Sequence, residues 1–460
     1  MKVLFIHQNF PAQFRHLASA LGKDPKNQVV FATARKEGEI RGVHKVIYKT
    51  SREPAEQTHH YVRSLESSVL EGQAAYRQLL TLKNKGFYPD VIYAHSGWGP
   101  GLFVKDLFPK AESLCFFEWF YHARGSNADF DPSDPLNEDT EAKIRIRNAT
   151  ILIDLCSCDR GLCPTRWQQQ QFPKEFHSKL TVCHDGIDTT YFKPDPTSQL
   201  ILQPPKPIAC PNTLDLSKEK EIVTYVARGM EPYRGFPQFI EAVEKLQKRR
   251  PQCHVVVVGE DRVAYSKNLP EGESYRKQAL EKHTALDLSR LHFTGHLAYS
   301  QYLKVLQSSS AHVYLTRPFV LSWSMLEAMS TGCVVIGSST QPVKELIQDN
   351  QNGLLVDFFD TDAIVDRIIE ALDNPERMEQ IRENARQTIV ENYDLADLLP
   401  KHLAWMKGKA LTGKAAIDKR AKGQKGAKQN VQKGAQKSTK KGTKKGSSKK
   451  HPRALGFGAS

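Results

Sequence analysis

Two arginines lie in one short segment of the chain, Arg228 and Arg234 in "VARGMEPYRG" (226–235). The β-branched run before Arg228 predicts a strand, and the apolar spacing after Arg234 predicts a helix. A guanidinium group is a rigid, permanently charged fork that binds phosphate oxygens in pairs. The pair therefore predicts a clamp for a diphosphate in a strand-to-helix loop, and two solvated surface cations are the alternative.

A single acid, Glu327, stands in the otherwise apolar segment "RPFVLSWSMLEAM" (317–329). Ser322 or Ser324 is the predicted N-cap of a helix in this segment, and the free amides at a helix start bind phosphate. Glu327 then lies within the first two turns, where it could contact a ligand. The spacing Ser324-x-x-Glu327 also fits a capping box, which gives Glu327 a purely structural role.

Polar residues follow three predicted strands in the first half of the chain. They are His7 and Gln13 in "HQNFPAQFRHLA", His95 in "YAHSGWGPGLF", and Glu118, His122 and Arg124 in "FEWFYHARG". In parallel sheets these loops share one edge, so we expect them to face a cleft. A lone histidine is more often a structural hydrogen-bond partner, but three polar groups at one strand end favour a site. Glu118 has no second carboxylate with which to form a glycosidase pair.

Two further polar segments have weaker functional interpretations. The acidic stretch "NADFDPSDPLNEDTEAK" (127–143) either shapes a substrate site or is a solvated surface loop. Cys156, Cys158 and Cys163 lie close together, but they lack the paired spacing of common zinc sites, which favours buried free thiols. No Asp-x-Asp pair stands near the arginines, and we expect no required metal.

Short apolar strands alternate with amphipathic helical patterns along most of the chain, as in "KVLFIH", "QVVFAT", "EIVTYVARG" and "CHVVVVGED". This alternation predicts an α/β fold with parallel sheets. A Pro-rich segment, 193–212, predicts a linker between two doubly wound domains, 1–200 and 201–390. We expect a C-terminal helix over 391–406 that packs back on the first domain, and a cleft between the strand edges.

The basic charge of the chain is concentrated at its end. Of the net +14, residues 407–453 contribute +16, with 17 Lys and Arg against one acid. The Lys/Gly-rich segment 407–460 has almost no apolar content and is predicted to be disordered. It predicts non-specific, salt-sensitive association with nucleic acid or an anionic membrane, and a solubilising tail without a partner is the alternative.

No segment has the length of a membrane helix or a signal peptide, and the cysteine usage is typical of reduced thiols. We therefore expect a cytoplasmic protein, for which the tail offers peripheral attachment at the inner face of the membrane.

Several segments together resemble the retaining glycosyltransferases of family 4 (glycosyl transferases group 1), of bacterial type. These are "ARGMEPYRGFPQFIEA", "SWSMLEAMSTGCVVIGSSTQPVKELI" and "NGLLVDFFD", with "CPTRWQQQQFPKEFHSKLTVCHDGIDTTYFKP" (163–194) in the first half. The resemblance spans nearly all of residues 1–405. It implies the GT-B fold, in which two Rossmann-like domains face each other across a cleft.

The resemblance also implies roles for individual residues. Arg228 matches a phosphate-binding arginine, and Arg234 stands in for a lysine of the family. Glu327 matches the acid that hydrogen-bonds the ribose of the donor, and the amides near Ser322 and Trp323 face the diphosphate. His122, rather than His95, is placed where family members carry a histidine near the reacting sugar.

The chain departs from the family at Phe319, where the family has a second Glu that touches the transferred sugar. The main hypothesis is a glycosyltransferase of polysaccharide biosynthesis that moves a sugar from a nucleoside diphosphate to an unidentified acceptor, with retention and without a cofactor. The alternative is a GT-B protein that binds a nucleotide sugar or glycan with impaired catalysis.

Overall fold

The computed structural model describes residues 1–202 and 213–411. These residues form two α/β lobes, each built on its own parallel sheet. The first lobe is residues 1–186 with a returning C-terminal helix, and the second is residues 187–202 and 213–393. None of the helices in these ranges combines the length and apolar character needed to cross a bilayer.

The first lobe has a seven-stranded sheet with the order β3-β2-β1-β4-β5-β6-β7. Its strands are β1 (Lys2–Ile6), β2 (Gln28–Thr33), β3 (Val43–Ile47), β4 (Val91–His95), β5 (Glu112–Phe116), β6 (Arg160–Cys163) and β7 (Leu180–Val182). Its helices are α1 (Arg15–Gly22), α2 (Arg63–Asn84), α3 (Val104–Leu107), α4 (Glu138–Arg147), α5 (Ala149–Ser157) and α6 (Arg166–Gln171).

The second lobe has a six-stranded parallel sheet with the order β12-β11-β10-β13-β14-β15, and β8 and β9 form a separate antiparallel pair. The strands are β8 (Ile201–Leu202), β9 (Leu214–Asp215), β10 (Ile222–Gly229), β11 (His254–Glu260), β12 (Leu291–Gly295), β13 (Ala311–Tyr314), β14 (Val335–Ser338) and β15 (Leu354–Val356). The helices are α7 (Phe236–Arg249), α8 (Tyr275–Lys282), α9 (Tyr299–Gln307), α10 (Trp323–Ser330), α11 (Gln341–Lys344), α12 (Thr361–Asp373) and α13 (Pro375–Tyr393).

Both sheets are buried on both faces, which explains the continuous apolar runs of their central strands. In β11, Val255–Val257 are fully buried and alternate between two separate hydrophobic clusters. The strand order of each lobe reverses beside its first strand, as in Rossmann sheets. The reversal places the loops after β1 and β4, and those after β10 and β13, at the edges where ligands bind.

The chain crosses between the lobes twice, at neighbouring points. The amide of Ile187 donates to the carbonyl of Tyr393, and the amide of Leu395 donates to the carbonyl of Ile187. Helix α14 (Leu395–Met406) then packs on the first lobe, where Trp405 joins the cluster around β1 and its indole Nε1 donates to Thr181. The two crossing segments therefore hold the lobes together at one end of the cleft.

Some predictions from the sequence fall outside the described residues or need correction. Most of the predicted tail, from Thr412 onward, and residues 203–212 of the predicted linker are not described. Cys158 and Cys163 are buried as expected, but Cys156 is exposed on the outer face of α5. The edge strand β3 was not predicted, because its half-exposed sequence "VHKVI" lacks a continuous apolar run.

Candidate functional site

Arg234 is a buried cation beside the switch point of the second sheet. It ends a short 3₁₀ turn after β10, and its side chain is 7% exposed. The guanidinium donates to the Thr316 hydroxyl (2.6 Å), the Tyr314 hydroxyl (3.2 Å) and the Val320 carbonyl (3.2 Å). No carboxylate among the described residues pairs with it. Because a buried charge needs a counter-ion, this arrangement favours an anionic ligand.

The turn that presents Arg234 requires the glycine that follows it. Gly235 has φ +67°, the left-handed region, and is the N-cap of α7. A Cβ at this position would lie 2.6 Å from the Cβ of Leu315, at the end of β13. The chain therefore turns tightly against the central strands, which fixes the direction of the preceding arginine.

Arg228 is the exposed member of the predicted clamp. It lies near the end of β10, and no hydrogen bond or ion pair from the described residues holds its guanidinium. Burial is the main cause of the lowered pKa of His7 in the first lobe, and the charge of Arg228 lies near enough to add to it. Arg228 therefore lies at the cleft with its charge uncompensated.

The start of α10 is linked to Arg234 through one tyrosine. Ser322 is the N-cap, and its hydroxyl accepts from the amide of Ser324 at 3.3 Å. The amide of Ser322 donates to the same Tyr314 hydroxyl that receives Arg234. The sequence predicted that the amide of Ser322 faces a ligand, but this amide already donates to Tyr314. The amide of Trp323, the first helical residue, has no acceptor within the helix.

Trp323 joins the two lobes through its side chain. Its indole Nε1 donates to Asp185 of the first lobe at 2.9 Å. The guanidinium of Arg15, also from the first lobe, stands 5.6 Å from the Trp323 ring and 5.5 Å from the ring of Tyr299. Burial raises the pKa of Asp185 to about 7. Neither Arg15 nor Asp185 was predicted as a site residue.

Glu327 is buried on α10 and does not form a capping box. It is 5% exposed, and the hydroxyl of Tyr302 donates to its Oε2 at 2.9 Å. Burial raises the pKa of Glu327 to about 7, against the opposing effects of Tyr302 and Arg15. The residue borders a small pocket that both lobes line, with Arg15, His16, Gly186, Ile187, Asp188, Phe192 and Trp323. A carboxylate in such a pocket accepts hydrogen bonds from ligand hydroxyls.

Four predicted residues of the first lobe come together at the ends of β1, β4 and β5. The side-chain Nε2 of Gln13 donates to Oε1 of Glu118 at 3.1 Å. Nε2 of His95 lies 3.8 Å from Oε2 of Glu118, and the ring of His7 meets that of His95 edge-on with centroids 4.7 Å apart. Glu118 is partly exposed, whereas both histidines are buried, so the cluster offers a carboxylate to the cleft.

Both histidines of this cluster are held in the neutral form. Burial lowers the pKa of His7 and of His95, and each ring also has a fixed hydrogen bond. Nδ1 of His7 accepts from the amide of Asn9, and Nδ1 of His95 lies 2.9 Å from the carbonyl of Ser96. A carbonyl only accepts, so Nδ1 of His95 carries the proton and its buried, unpaired Nε2 is a free acceptor.

His122 lies apart from this cluster. Its Nε2 is 2.7 Å from the carbonyl of Gln171, so Nε2 carries the proton and is used within the fold. The predicted catalytic role of His122 stays a prediction, and the geometry favours His95 as the histidine with a free nitrogen at the cleft.

Phe319 belongs to an aromatic group that we call the aromatic wall, formed by Trp119, Tyr233, Tyr265 and Phe319. The centroid of the Phe319 ring is 4.9 Å from Trp119, 5.2 Å from Tyr233 and 5.4 Å from Tyr265. Trp119 comes from the first lobe and the other three from the second. The wall therefore spans the cleft. Of its four members, only Phe319 was singled out from the sequence, because it stands where the family has a Glu.

The first part of the acidic segment 127–143 also crosses to the second lobe. Asp131 pairs with Arg317 at 2.8 Å, and Asn127 hydrogen-bonds the hydroxyl of Tyr233. Phe130 packs against the rings of Phe358 and Phe359. This part is therefore not a solvated loop. No group of three or more His, Cys, Asp or Glu side chains suited to a metal ion occurs in residues 1–202 and 213–411.

Comparisons with known proteins agree with this architecture. The family model "Glycosyl transferase family 4 group" matches residues 25–192, and "Glycosyl transferases group 1" matches residues 211–388. Trehalose synthase of Pyrococcus horikoshii is 25% identical over 196 residues, 41% of this chain and 44% of that protein. Alpha-D-kanosaminyltransferase of Streptomyces kanamyceticus is 25% identical over 180 residues, 39% of this chain and 43% of that protein. The chain thus aligns with less than half the length of either relative.

Two solved structures share the fold across both lobes. HepE of Anabaena, crystallised with UDP-glucose, has a TM-score of 0.64 at 14% identity and covers 89% of this chain and 100% of its own. Sucrose-phosphate synthase of Thermosynechococcus elongatus has a TM-score of 0.64 at 14% identity, with 89% and 98% covered. The prediction of a GT-B fold is confirmed.

Proposed function

We propose that the chain is a glycosyltransferase that transfers a sugar from a nucleoside diphosphate to an acceptor hydroxyl with retention. The glycosyltransferase family models that match both lobes support this proposal. The observation that carries this proposal is Arg234, a buried guanidinium without a carboxylate partner. Arg228 adds a second uncompensated cation from the same strand end. A diphosphate matches both in charge and in its paired oxygens.

The nucleoside end of the donor is assigned to Glu327 and the pocket beside it. The carboxylate of Glu327 accepts hydrogen bonds from the two ribose hydroxyls when ionised, and Tyr302 already orients one of its oxygens. The positive end of α10 and the unpaired amide of Trp323 then face the phosphates. The UDP-glucose bound in HepE, a protein of the same fold, supports a nucleotide sugar as the ligand class.

The second lobe supplies most of the catalytic stabilisation in this proposal. When the bond between the anomeric carbon and the phosphate oxygen breaks, its electron pair passes to the diphosphate. Arg228 and Arg234 lower the energy of that charge more in the transition state than in the bound donor. The acceptor oxygen forms the new bond on the same face, and its proton passes to the departing phosphate oxygen.

The first lobe positions the reacting sugar. Glu118 and the free Nε2 of His95 are hydrogen-bond acceptors for sugar or acceptor hydroxyls at the opposite side of the cleft. Neutral His95 accepts such a bond without adding charge. We place these two residues, rather than His122, next to the transferred sugar.

The proposal is tested by donor binding and by nucleotide release. Nucleotide sugars should raise the thermal midpoint of the protein, because a ligand that binds only the folded state stabilises it. Arg228→Ala and Glu327→Ala should each reduce nucleotide release from the best donor by about tenfold or more. Wild-type activity in both variants contradicts the assigned roles.

A protein that binds the donor without transfer is a second candidate, which Phe319 favours. Its ring lies against Trp119 of the opposite lobe, and this contact occupies part of the cleft. Donor binding with neither hydrolysis nor transfer across a broad acceptor panel supports this candidate instead.

A further inference from the structure

The turn after β4 carries Trp98 at the edge of the first sheet where Gln13 and Glu118 also lie. These three residues follow β4, β1 and β5, and the carboxyl ends of parallel strands share one edge. Trp98 is 42% exposed, whereas Ser96 and Gly99 on either side of it are buried. A large aromatic side chain is therefore open to solvent beside the cluster that the proposed function assigns to substrate hydroxyls.

The turn that carries this indole is fixed on both sides. Gly97 and Gly99 have φ of +92° and +103°, a region that glycine adopts without strain. The amide of Gly97 and the hydroxyl of Ser96 both donate to one carboxylate oxygen of Asp154 on α5, at 3.3 Å and 2.7 Å. A Cβ on Gly99 would lie 2.1 Å from the carbonyl oxygen of Ser68, so the turn rests directly on α2. The backbone that positions the indole is thus held before any ligand binds, which reduces the entropy that binding costs.

The indole lies next to hydrogen-bond acceptors. The centroid of the Trp98 ring is 6.4 Å from that of His95, and Nε2 of His95 is 3.8 Å from Oε2 of the partly exposed Glu118. Nε2 of His95 has no hydrogen-bond partner within the part of the chain that the structure describes. One exposed apolar ring is therefore bordered by a carboxylate and an unpaired ring nitrogen, both of which accept hydrogen bonds.

This combination matches the two kinds of surface of a sugar ring. The C–H groups on one face of a pyranose pack against the electron-rich face of an indole, and the hydroxyl groups at its edge donate to a carboxylate. An acyl chain needs a longer apolar surface than one ring, and the neighbours of the indole, Gly97 and Gly99, add no side chain. A phenol stacks on the indole but has only one hydroxyl for the acceptors beside it.

We propose that the acceptor of the transferred glycosyl group is itself a sugar, and that its ring stacks on Trp98. Glu118 accepts from a hydroxyl of this sugar, and another hydroxyl supplies the oxygen of the new glycosidic bond. This inference rests on the proposed function, because it assumes that a glycosyl group is transferred. It adds the chemical class of the acceptor.

The test measures nucleotide release from the donor that gives the largest thermal shift, with and without added acceptors. The sugars are the methyl glycosides of glucose, galactose, mannose and N-acetylglucosamine, with maltose and cellobiose. The non-sugar alcohols are glycerol, n-octanol and phenol. Sugars should raise the rate of nucleotide release above the rate with water alone, and mass spectrometry should detect the glycosylated sugar. The non-sugar alcohols should leave the rate at that of water.

Three variants of Trp98 test the stacking contact. Trp98→Ala should raise the KM for the best sugar about tenfold, the effect of losing one stacked aromatic ring. Trp98→Phe keeps a smaller ring and should raise this KM only about threefold, whereas Trp98→Leu keeps apolar character without a ring and should resemble Trp98→Ala. Tyr88→Ala is the matched control, because Tyr88 is a 57% exposed aromatic residue that precedes β4 at the opposite edge of the sheet. It should leave this KM unchanged.

The outcomes distinguish this inference from the proposed function. If no nucleotide sugar stabilises the protein or is cleaved, the proposed function fails and this inference with it. If the donor is cleaved but no sugar accelerates its cleavage, or a non-sugar alcohol accelerates it more, only the inference is overturned. Equal KM values for the best sugar in the wild type, Trp98→Ala and Tyr88→Ala also overturn it. A general loss of stability lowers the fraction of active enzyme rather than changing KM, so it cannot produce the expected result.

Discussion

The two lobes build their sides of the cleft in different ways. In the second lobe, Arg228 and Arg234 come from one strand-to-turn segment, and Tyr314 and Thr316 of the adjacent strand end fix Arg234. In the first lobe, His7, His95 and Glu118 lie at the ends of three different strands and contact one another, and backbone groups of Asn9 and Ser96 fix the two histidine rings. The site in the second lobe is therefore formed by cations from one segment of the chain. The site in the first lobe is formed by hydrogen-bond acceptors from three separate segments.

This difference predicts a division of labour. In the proposed function, the cations bind the diphosphate and act on donor affinity as well as on rate, because the charge is present before and during bond cleavage. The acceptor groups of the first lobe are proposed to contact the sugar and its acceptor, so their removal should change turnover more than donor affinity. Variants on the two sides can separate these effects.

The largest effect is expected for Arg234→Gln, which removes the buried charge and keeps a polar side chain. Loss of such a preorganised electrostatic contact reduces kcat/KM by about 10²–10³ and weakens binding of the nucleotide alone. The measurement is nucleotide release together with nucleotide titration by thermal shift.

Arg262→Gln is the matched control for this prediction, because Arg262 is a surface arginine of the same lobe paired with Glu260. A thermal midpoint of Arg234→Gln close to that of the wild type shows that it folds. Activity of a folded Arg234→Gln protein within twofold of the wild type excludes the anion site.

The second prediction concerns the pH dependence of stability at Glu327. Its pKa is raised from 4.5 to about 7 in the folded protein. The raised pKa means that the folded state favours the protonated form of Glu327. The contribution of this group to the free energy of unfolding is therefore present below pH 4.5 and is lost as the pH rises through 7. The loss is at most about 3 kcal/mol.

Glu327→Gln removes this titration and should flatten the fall in thermal midpoint between pH 5 and pH 8. Asp185, with a pKa of about 7, titrates in the same direction and leaves part of the slope in the variant. Bound donor should reduce the slope of the wild type, because ribose hydroxyls stabilise the ionised carboxylate. An identical slope in the wild type and Glu327→Gln, both without ligand, argues against a buried, titrating Glu327.

The comparison of the lobes also explains what the sequence could predict. The alternating strands and helices predicted two α/β domains with parallel sheets, since buried parallel strands have continuous apolar runs. The GT-B fold was implied by the resemblance of several segments to a glycosyltransferase family. Arg228, Arg234 and Glu327 were proposed as site residues because each stands out within one local segment at a strand end or helix start. Their role in binding a donor stays a prediction.

Contacts between distant segments could not be predicted. Arg15 stacks over Trp323, and Trp119 packs on Phe319, across separations of about 200 to 300 residues along the chain that no periodicity records. Tyr302 lies on an amphipathic helix, where an aromatic residue is ordinarily part of the core. The short sequence spacing Ser324-x-x-Glu327 suggested a cap, but Ser322 is the N-cap of α10, and Glu327 accepts from the hydroxyl of Tyr302, 25 residues away along the chain.

The third prediction tests the first lobe. Glu118→Gln removes the carboxylate charge next to the transferred sugar, and it should lower kcat about tenfold while the Kd of the nucleotide changes less than twofold. The physical reason is that the proposed function places Glu118 next to the sugar and its acceptor, away from the diphosphate. Transfer kinetics and nucleotide titration measure the two effects separately.

Glu112→Gln is the control for this variant, since Glu112 begins β5, the strand that Glu118 follows, and pairs with Arg160 away from the cleft. His95→Asn should resemble Glu118→Gln, because both remove an acceptor from the same cluster. A large loss of nucleotide affinity in Glu118→Gln contradicts the division of labour between the lobes.

The smallest effect is expected for Asp131→Asn, which weakens the contact between the acidic segment and the second lobe. The variant leaves Arg317 without its carboxylate, but Phe130 still packs on Phe358 and Asn127 still bonds Tyr233. We expect a loss of about 1 kcal/mol in the free energy of unfolding, because Asn keeps an oxygen that accepts from Arg317 and only the charge is lost. Chemical denaturation measures it.

Asp134→Asn is the matched control, since Asp134 is an exposed acid of the same segment without an ion pair among the described residues. It should leave the free energy of unfolding within about 0.5 kcal/mol of the wild type. Equal effects of the two substitutions contradict a specific contact between Asp131 and Arg317. A loss for Asp131→Asn that disappears at high salt shows instead that the pair is solvent-exposed, because buried pairs are screened less.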